Sequence, residues 1–477
     1  MKTGRCLVVS GITLLLGSAA LEAQPIARRV DPALPGIDSL AAAEFAKDSI
    51  GSITVGVIAG GELVWTKSYG FANIAARKLA NRNTVYRIGS ITKPFTAVML
   101  MQLEQAGKLR LADPVEKFFP QIRTVDSMPA GASPPTLLQL ATMTSGLARE
   151  PREEGPFWTG PVSKWEETLI SALPHTSYAY MPGTRFLYSN IGYAILGATL
   201  SRVAGVPYTT WERTHVFEPL GMTRTRFEID PSIAADLATG YDVNRGGAID
   251  SLTAAKEGRE GRGYKVPNGA IFTTVDDLSR FVEFELGNGS ASVLPEARLD
   301  SAFAGIVASS PELGSGYGLG FMAMRRDAFT FTGHSGGVAG YLSWMYFSRP
   351  AQVGVVLFRN VTGGKVNGNR LAVDILSRLV ESSKQHRVVA LDDKLFDMYA
   401  GRYKFADGTV MNITRENARY FTQVPGQPRF EIFPEGDRQF FVKAFEAQFS
   451  FVSDASGKTT ELIVQQEGEK MHAKRIE

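Results

Sequence analysis

The sequence predicts an α+β protein: one antiparallel sheet with terminal helices on one face and a helical lobe on the other, followed by a small all-β barrel or sandwich. Three observations carry this. Strand-like runs lie at both ends of residues 24–385, and the stretch between them reads as helix and long loop. Composition turns polar after Glu381, at Ser-Ser-Lys-Gln-His. From Tyr399 onward about eight short alternating runs are separated by turn signals such as Asp407-Gly408, Pro434-Glu435-Gly436, Ser456-Gly457 and Glu467-Gly468. The chain of 477 residues exceeds one typical domain. The expected division is 1–23 as a signal peptide, 24–385 as the main domain and 391–477 as the β domain.

In chain order, Lys2 and Arg5 precede an apolar stretch from Cys6 to Ala20, and small residues surround Ala23, the pattern of a secretory signal cut after Ala23. Leu21, third before that cut, leaves a retained signal anchor as the alternative. The stretch is short for a membrane span and no later segment approaches it, so the mature chain is expected to be secreted or periplasmic, without a stable span. Cys6 is the only cysteine and leaves with the signal, which excludes a disulfide and a thiol nucleophile from the expected mature protein.

Ile37 to Ile50 carries Ala and Leu/Ile at helical spacing; Ile53, Val55 and Val57 then alternate toward Gly60-Gly61 and Leu63-Val64-Trp65. A helix leading into a β-hairpin is expected. Near the other end, Tyr317–Met322, Phe329–Thr332, Tyr341–Ser348 and Val353–Phe358 read as strands, and Leu371–Val380 as a closing helix. Chemistry is expected in the cleft between sheet and lobe.

Composition is that of an ordinary globular protein, 44% hydrophobic and 21% charged, with 51 Lys+Arg against 48 Asp+Glu and no basic block suited to a phosphate backbone. Nucleic acid is not an expected partner. The five histidines, His175, His215, His334, His386 and His472, include no pair at i, i+4, so no metal and no cofactor is expected.

Three motifs could carry chemistry. In Ser90-Ile91-Thr92-Lys93, followed by Pro94 and a helical run to Gly107, Ser90 starts a helix. Residues three apart share a helix face, so the Lys93 amine can reach the Ser90 hydroxyl and take its proton once desolvation lowers its pKa. The positive helix end favours an oxyanion near the Ser90 N–H. The bland alternative is a helix start followed by a solvated lysine. In Tyr188-Ser189-Asn190 a phenol can relay a proton and a carboxamide can hold Lys93 and a substrate amide; a buried, satisfied tyrosine is the alternative. In Gly333-His334-Ser335-Gly336-Gly337, at the end of one expected strand, the glycines allow a substrate backbone to approach, and the Gly337 N–H could be a second oxyanion donor. A tight hairpin connection is the alternative.

These three motifs, in this order, resemble those of the β-lactamase-like serine hydrolases: class C β-lactamases, low-molecular-weight penicillin-binding proteins, D-stereospecific peptidases and related carboxylesterases. Further phrases resemble the same family, among them Leu140-Ala141-Thr142-Met143-Thr144-Ser145-Gly146-Leu147, Gly269 to Thr274 and Tyr317-Gly318-Leu319-Gly320. The resemblance implies that Ser90 is acylated, that Lys93 and Tyr188 exchange protons with it, that Asn190 orients substrate, and that His334-Ser335-Gly336 stands where many members have Lys-Thr-Gly. An imidazole is mostly neutral at pH 7. A D-amino-acid peptide or an ester is therefore favoured over a β-lactam as the small-molecule substrate. Met143 stands where many relatives have His. The last stretch looks like the lipocalin-like appendage of some members.

Two rival readings stand beside this one. Gly333 to Gly337 also satisfies G-x-S-x-G, which would make Ser335 the nucleophile of an α/β-hydrolase elbow, but that fold needs a helix directly after the serine where Val338–Phe347 reads as strand. The other is a non-catalytic binding or assembly protein. No sequence feature specifies an oligomeric state.

Overall fold

The computed structural model describes residues 26–477 apart from 154, 290, 304–306, 311–314, 327–328, 384–387, 418, 446, 455 and 467–468. The expected signal at 1–23, His386 and the Glu467-Gly468 turn lie outside the described residues. The chain divides into two compact units, Ile26–Gln385 and His386–Glu477.

In the first unit, helix α1 (Leu34–Phe45) leads into strands β1 (Ser52–Ala59), β2 (Glu62–Asn73) and β3 (Lys78–Leu79). Helices α2 (Thr92–Gln105), α3 (Asn190–Ala204) and α4 (Val275–Glu283) belong to the intervening lobe. The chain returns through β4 (Val307–Ser310), β5 (Ser315–Tyr317), β6 (Met322–Arg326), β7 (Phe329–Val338), β8 (Tyr341–Ser348) and β9 (Val353–Arg359), and ends in helix α5 (Gly368–Ser383). One antiparallel sheet results, in the order β3-β2-β1-β9-β8-β7-β6-β5-β4. The two chain ends meet where β1 pairs with β9, Val55 opposite Leu357.

The alternation seen in β1 explains the layers. Ile53, Val55 and Val57 face a core shared with Ile37 and Ala41 of α1 and Leu371, Ile375 and Leu379 of α5. The other face carries the larger core, in which Phe95 and Val98 of α2, Ile191 and Ile195 of α3, and Leu278 and Phe281 of α4 meet. Each such side chain contributes about 1.5–3 kcal/mol by leaving water.

Two strand expectations change. Tyr317–Met322 is not one strand: β5 ends at Tyr317, β6 begins at Met322, and the Gly318 N–H donates to Phe321 O across a turn at 2.8 Å. Gly320 sits there at φ +77°, and a Cβ on it would come within 2.7 Å of the Ala97 side chain. The strand at Phe329 runs past Thr332 to Val338, so Gly333 to Gly337 lies within β7 and the turn falls at Ala339-Gly340.

The second unit is a closed barrel of eight strands: β10 (Gly401–Phe405), β11 (Val410–Glu416), β12 (Arg419–Gln423), β13 (Phe430–Pro434), β14 (Gln439–Val442), β15 (Ala447–Ser453), β16 (Thr459–Gln466) and β17 (Glu469–Arg475), preceded by the short helix α6 (Asp393–Asp397). Closure rests on β10 pairing with β17, Tyr403 opposite Arg475. Among the described residues no helix is long and apolar enough to cross a membrane.

Candidate active site

Ser90 is placed by main-chain pairing on both sides. Tyr86-Arg87 pairs with Phe272-Thr273, and the Ile88 N–H donates to Ile271 O at 3.1 Å. The chain then turns at Gly89, φ +51°, into a 3₁₀ turn, Gly89–Ile91, that runs on into α2. Glycines let this turn lie against β7. A Cβ on Gly89 would stand 2.8 Å from the Gly337 nitrogen, and one on Gly336 would overlap Ile88 O. The Ser343 hydroxyl donates to Ile88 O at 2.8 Å and pins the same segment to β8. β6 pairs with β7 only from Phe329 to Gly333, whereas β8 pairs with it from Thr332 to Val338. From His334 onward one edge of β7 therefore has no strand beside it among the described residues, and Gly89 approaches at Gly337.

Lys93, one turn beyond Ser90, is wholly buried. Its Nζ lies 3.1 Å from Ser90 Oγ, 2.7 Å from Asn190 Oδ1 and 3.2 Å from Asn268 O. Burial drives its pKa well below the ordinary lysine value, opposed by Glu150 and reinforced by Arg149 and Arg262. It also stands over the Tyr188 ring, 4.7 Å from the centroid.

The Tyr188 phenol lies beside Ser90. Burial raises its pKa above the ordinary value; the neighbouring Ser90 hydroxyl and the charge on Arg149 oppose this, and Glu150 adds to it. Ser189 caps α3: its Oγ accepts the Gly192 N–H at 3.0 Å and donates to Ala148 O at 2.8 Å. The Asn190 N–H donates to Arg149 O at 2.9 Å. Met143, buried at φ +60°, has its Sδ 3.2 Å from the Ser189 nitrogen, so the position that distinguishes this chain from many relatives supports the Tyr188 segment from below.

His334 and Ser335 point to opposite faces of β7, as successive strand residues do. The His334 Nδ1 is 2.5 Å from Ser335 O and its Nε2 is 3.0 Å from the Tyr317 hydroxyl. A carbonyl only accepts, so Nδ1 carries the hydrogen and Nε2 accepts from Tyr317. Burial, then Lys93, pushes the His334 pKa down to about 3, with the bond to Ser335 O opposing. Ser335 stands opposite Trp344 of β8, whose ring belongs to the core under the terminal helices. A strand, not a helix, follows Ser335, so the nucleophile-elbow geometry is not formed.

The structure thus brings Ser90, Lys93, Tyr188, Asn190 and the His334 side of β7 together. It adds residues that the sequence reading did not single out. Glu150 Oε1 accepts from Asn190 Nδ2 at 2.5 Å, and its other oxygen accepts from the Tyr264 hydroxyl. Asn268 accepts from Lys93 through its carbonyl and donates from Nδ2 to Asn190 O at 2.9 Å. The Arg149 guanidinium lies 4.8 Å from the Tyr188 ring centroid. Asn268 directly precedes the Gly269 to Thr274 phrase, which was its only local signal. No group of three or more His, Cys, Asp or Glu side chains among the described residues could hold a metal ion.

Comparison with known proteins adds to this geometry. The family model described as "Beta-lactamase" matches residues 37–378, and one described as a "domain of unknown function (DUF3471)" matches residues 385–475. The chain is 25% identical over 434 residues to penicillin-binding protein 4* of Bacillus subtilis, covering 84% of this chain and 91% of that protein. Its fold is similar to that of an octameric penicillin-binding protein homologue from Pyrococcus abyssi, with TM-score 0.61 and 23% identity over 92% of this chain and all of that one (100%). It is also similar to a D-stereospecific amidohydrolase from Streptomyces, with TM-score 0.59 and 22% identity over 71% of this chain and 98% of that one.

Proposed function

The chain belongs to the beta-lactamase family, and on that premise we propose that it is an exported serine hydrolase that attacks an amide or ester carbonyl through an acyl-enzyme. Ser90 is the nucleophile, Lys93 and Tyr188 move its proton, Asn190 orients the substrate, and the segment His334-Ser335-Gly336-Gly337 receives the substrate backbone. The observation that carries the reading is the Lys93 amine, buried, held below its usual pKa and 3.1 Å from Ser90 Oγ.

Its hydrogen bonding fits a neutral amine. Such a group has two N–H donors and one lone pair; Asn190 Oδ1 and the Asn268 carbonyl take the donors, which leaves the lone pair for the Ser90 O–H. As Oγ bonds to the carbonyl carbon, its proton passes to Lys93. Tyr188, kept protonated, donates to the leaving nitrogen or oxygen and is reprotonated from Lys93. Water then reverses the sequence and releases the acid. The oxyanion meets the N–H groups of Ser90 and Gly337. The two-residue turn at Ala339-Gly340 closes on the pair Val338/Tyr341, so ladder alternation aims the Gly337 N–H away from β8, toward the open edge.

Substrate class follows from His334. With its pKa near 3, it supplies no cation to hold a carboxylate at neutral pH. This favours a D-amino-acid peptide, of carboxypeptidase or aminopeptidase type, or an ester over the β-lactam of a class C enzyme. We read the barrel as a lipocalin-like appendage. The test compares Ser90→Ala with Ser335→Ala on a chromogenic ester and by fluorophosphonate labelling. Ser90→Ala should lose both signals. Retention of both by Ser90→Ala, with loss in Ser335→Ala, would overturn the assignment, and the absence of any adduct on the parent would favour a binding protein.

A further inference from the structure

Three charged residues, Arg87, Glu257 and Arg262, form a cluster beside the segment that carries Ser90. Arg87 is 2% exposed; its Nη2 lies 2.9 Å from Glu257 Oε2, and its guanidinium stands 5.6 and 5.7 Å from the ring centroids of Phe272 and Tyr341. Arg262, whose side chain is 13% exposed, places Nη1 2.6 Å from the same carboxylate oxygen. Burial would raise the Glu257 pKa, but the two guanidiniums outweigh it and hold the carboxyl below its ordinary value. The cluster therefore carries two positive charges against one negative.

One of those cations is surplus to the fold, because Arg87 alone neutralises Glu257. The cluster is also short of acceptors: Arg87 Nε and Nη1 and Arg262 Nε have no hydrogen-bond partner among the described residues. The extra charge is thus held against a desolvation penalty. A Cβ on Gly269 would crowd Arg262 Nη2 at 3.3 Å and would meet the Gly89 carbonyl carbon at 3.9 Å, so a glycine here lets the guanidinium pack close to the chain entering Ser90. The residue before it, Asn268, accepts from Lys93 on its carbonyl at 3.2 Å. Asn268-Gly269 touches the amine at one end and the guanidinium at the other.

The remaining groups around Lys93 do not supply a fixed charge of this sign. Tyr188 and Tyr193 present their rings, 4.7 and 5.7 Å from Nζ to the centroids, and His334 is uncharged at neutral pH. Glu150, bonded to Asn190 and Tyr264, acts in the opposite sense. Lys265 stands over the Trp158 ring, 3.4 Å from its centroid. Arg149 acts in the same sense as Arg262 but is exposed, where water and salt screen it.

We infer that Arg262 is a positioning residue for the proton transfer: its charge, fixed by Glu257 against Asn268-Gly269, keeps the Lys93 amine unprotonated and ready for the Ser90 proton. The inference rests on the acyl-enzyme reading given above.

The test follows fluorophosphonate labelling of Ser90 in the full chain as a function of pH, each enzyme being referred to its own high-pH plateau. Removing a positive charge eases protonation of Lys93, so Arg262→Gln should move the acid limb to higher pH by about one unit. Arg262→Lys keeps the charge and should keep the parent limb. Arg262→Gln leaves Arg87 paired with Glu257, and Arg262→Met, which retains the apolar stem, is a second neutral replacement if the first does not fold. A merely structural role would lower stability in urea and leave the limb in place. An unmoved or lowered limb in a folded neutral variant, or a limb in Arg262→Lys displaced as far as in Arg262→Gln, would overturn the inference. A parent that does not label at all would instead remove the acyl-enzyme reading, and this inference with it.

Discussion

Two cations, Lys93 and Arg359, are fully buried in the first unit, and they meet opposite fates. Arg359, at the end of β9, has Asp48 at 2.8 Å. Burial presses its pKa down and Asp48 opposes this, but a guanidinium does not give up its proton in a protein, so the group is held as an ion pair. Asp48 in turn stays below the ordinary aspartate value despite burial, because the N–H groups of Lys365 and Ile50 and the charge on Arg359 favour the carboxylate. Lys93 has no carboxylate against it. Its partners are a hydroxyl, a carboxamide oxygen and a main-chain carbonyl, and Glu150 reaches it only through Asn190. Equal burial therefore makes one cation a structural tie and suits the other to the base role proposed for it. What separates them is the ease of deprotonation and the nearest acid.

The largest effect that tests this contrast is on rate. Lys93→Met should lower acylation of a chromogenic ester about 10²–10⁴-fold while the far-UV spectrum is unchanged; acylation at the parent rate would contradict the role given to the amine. Next is stability. Asp48→Asn leaves Arg359 charged, buried and unpaired, and should cost about 3–5 kcal/mol in urea unfolding, with kcat/KM of the folded fraction unchanged. A loss below one kilocalorie would show that Arg359 does not depend on its acid.

A smaller effect concerns pH. Lys93 must be neutral to accept a proton, so kcat/KM should fall as pH drops through its lowered pKa. Glu150 raises that pKa, so Glu150→Gln should move the acid limb to lower pH; a shift to higher pH would show that Glu150 acts otherwise. The smallest concerns His334. Its folded pKa of about 3 lies below the ordinary value of 6.5, so between these values the unfolded chain binds the extra proton and stability declines as pH falls. In urea unfolding at pH 7 and pH 5, His334→Gln should show a shallower decline than the parent, and an equal decline would place the charge elsewhere.

Much of the frame was legible residue by residue. The alternation of Ile53, Val55 and Val57 marks the strand that joins the two chain ends, and Tyr341–Ser348 forms a strand with the bounds read from its pattern. Tyr317 to Met322 misled because Gly318 and Gly320 interrupt an alternating pattern without breaking it on paper, whereas at φ +77° Gly320 turns the chain beneath α2. Barrel or sandwich stayed open because closure depends on one pairing, β10 with β17, between segments at opposite ends of the unit.

The sequence alone determined the local half of the site: Ser90 and Lys93 three residues apart at a helix start, Tyr188 beside Asn190, and a glycine-rich strand at His334. Such pairings follow from backbone geometry over a few residues and need no partner. Only the tertiary structure decided that Glu150, Asn268 and Tyr317 complete it, and that Lys93 is cut off from water. Desolvation is a property of everything packed around a group, and the atoms that exclude water from Lys93 come from segments far apart in the chain.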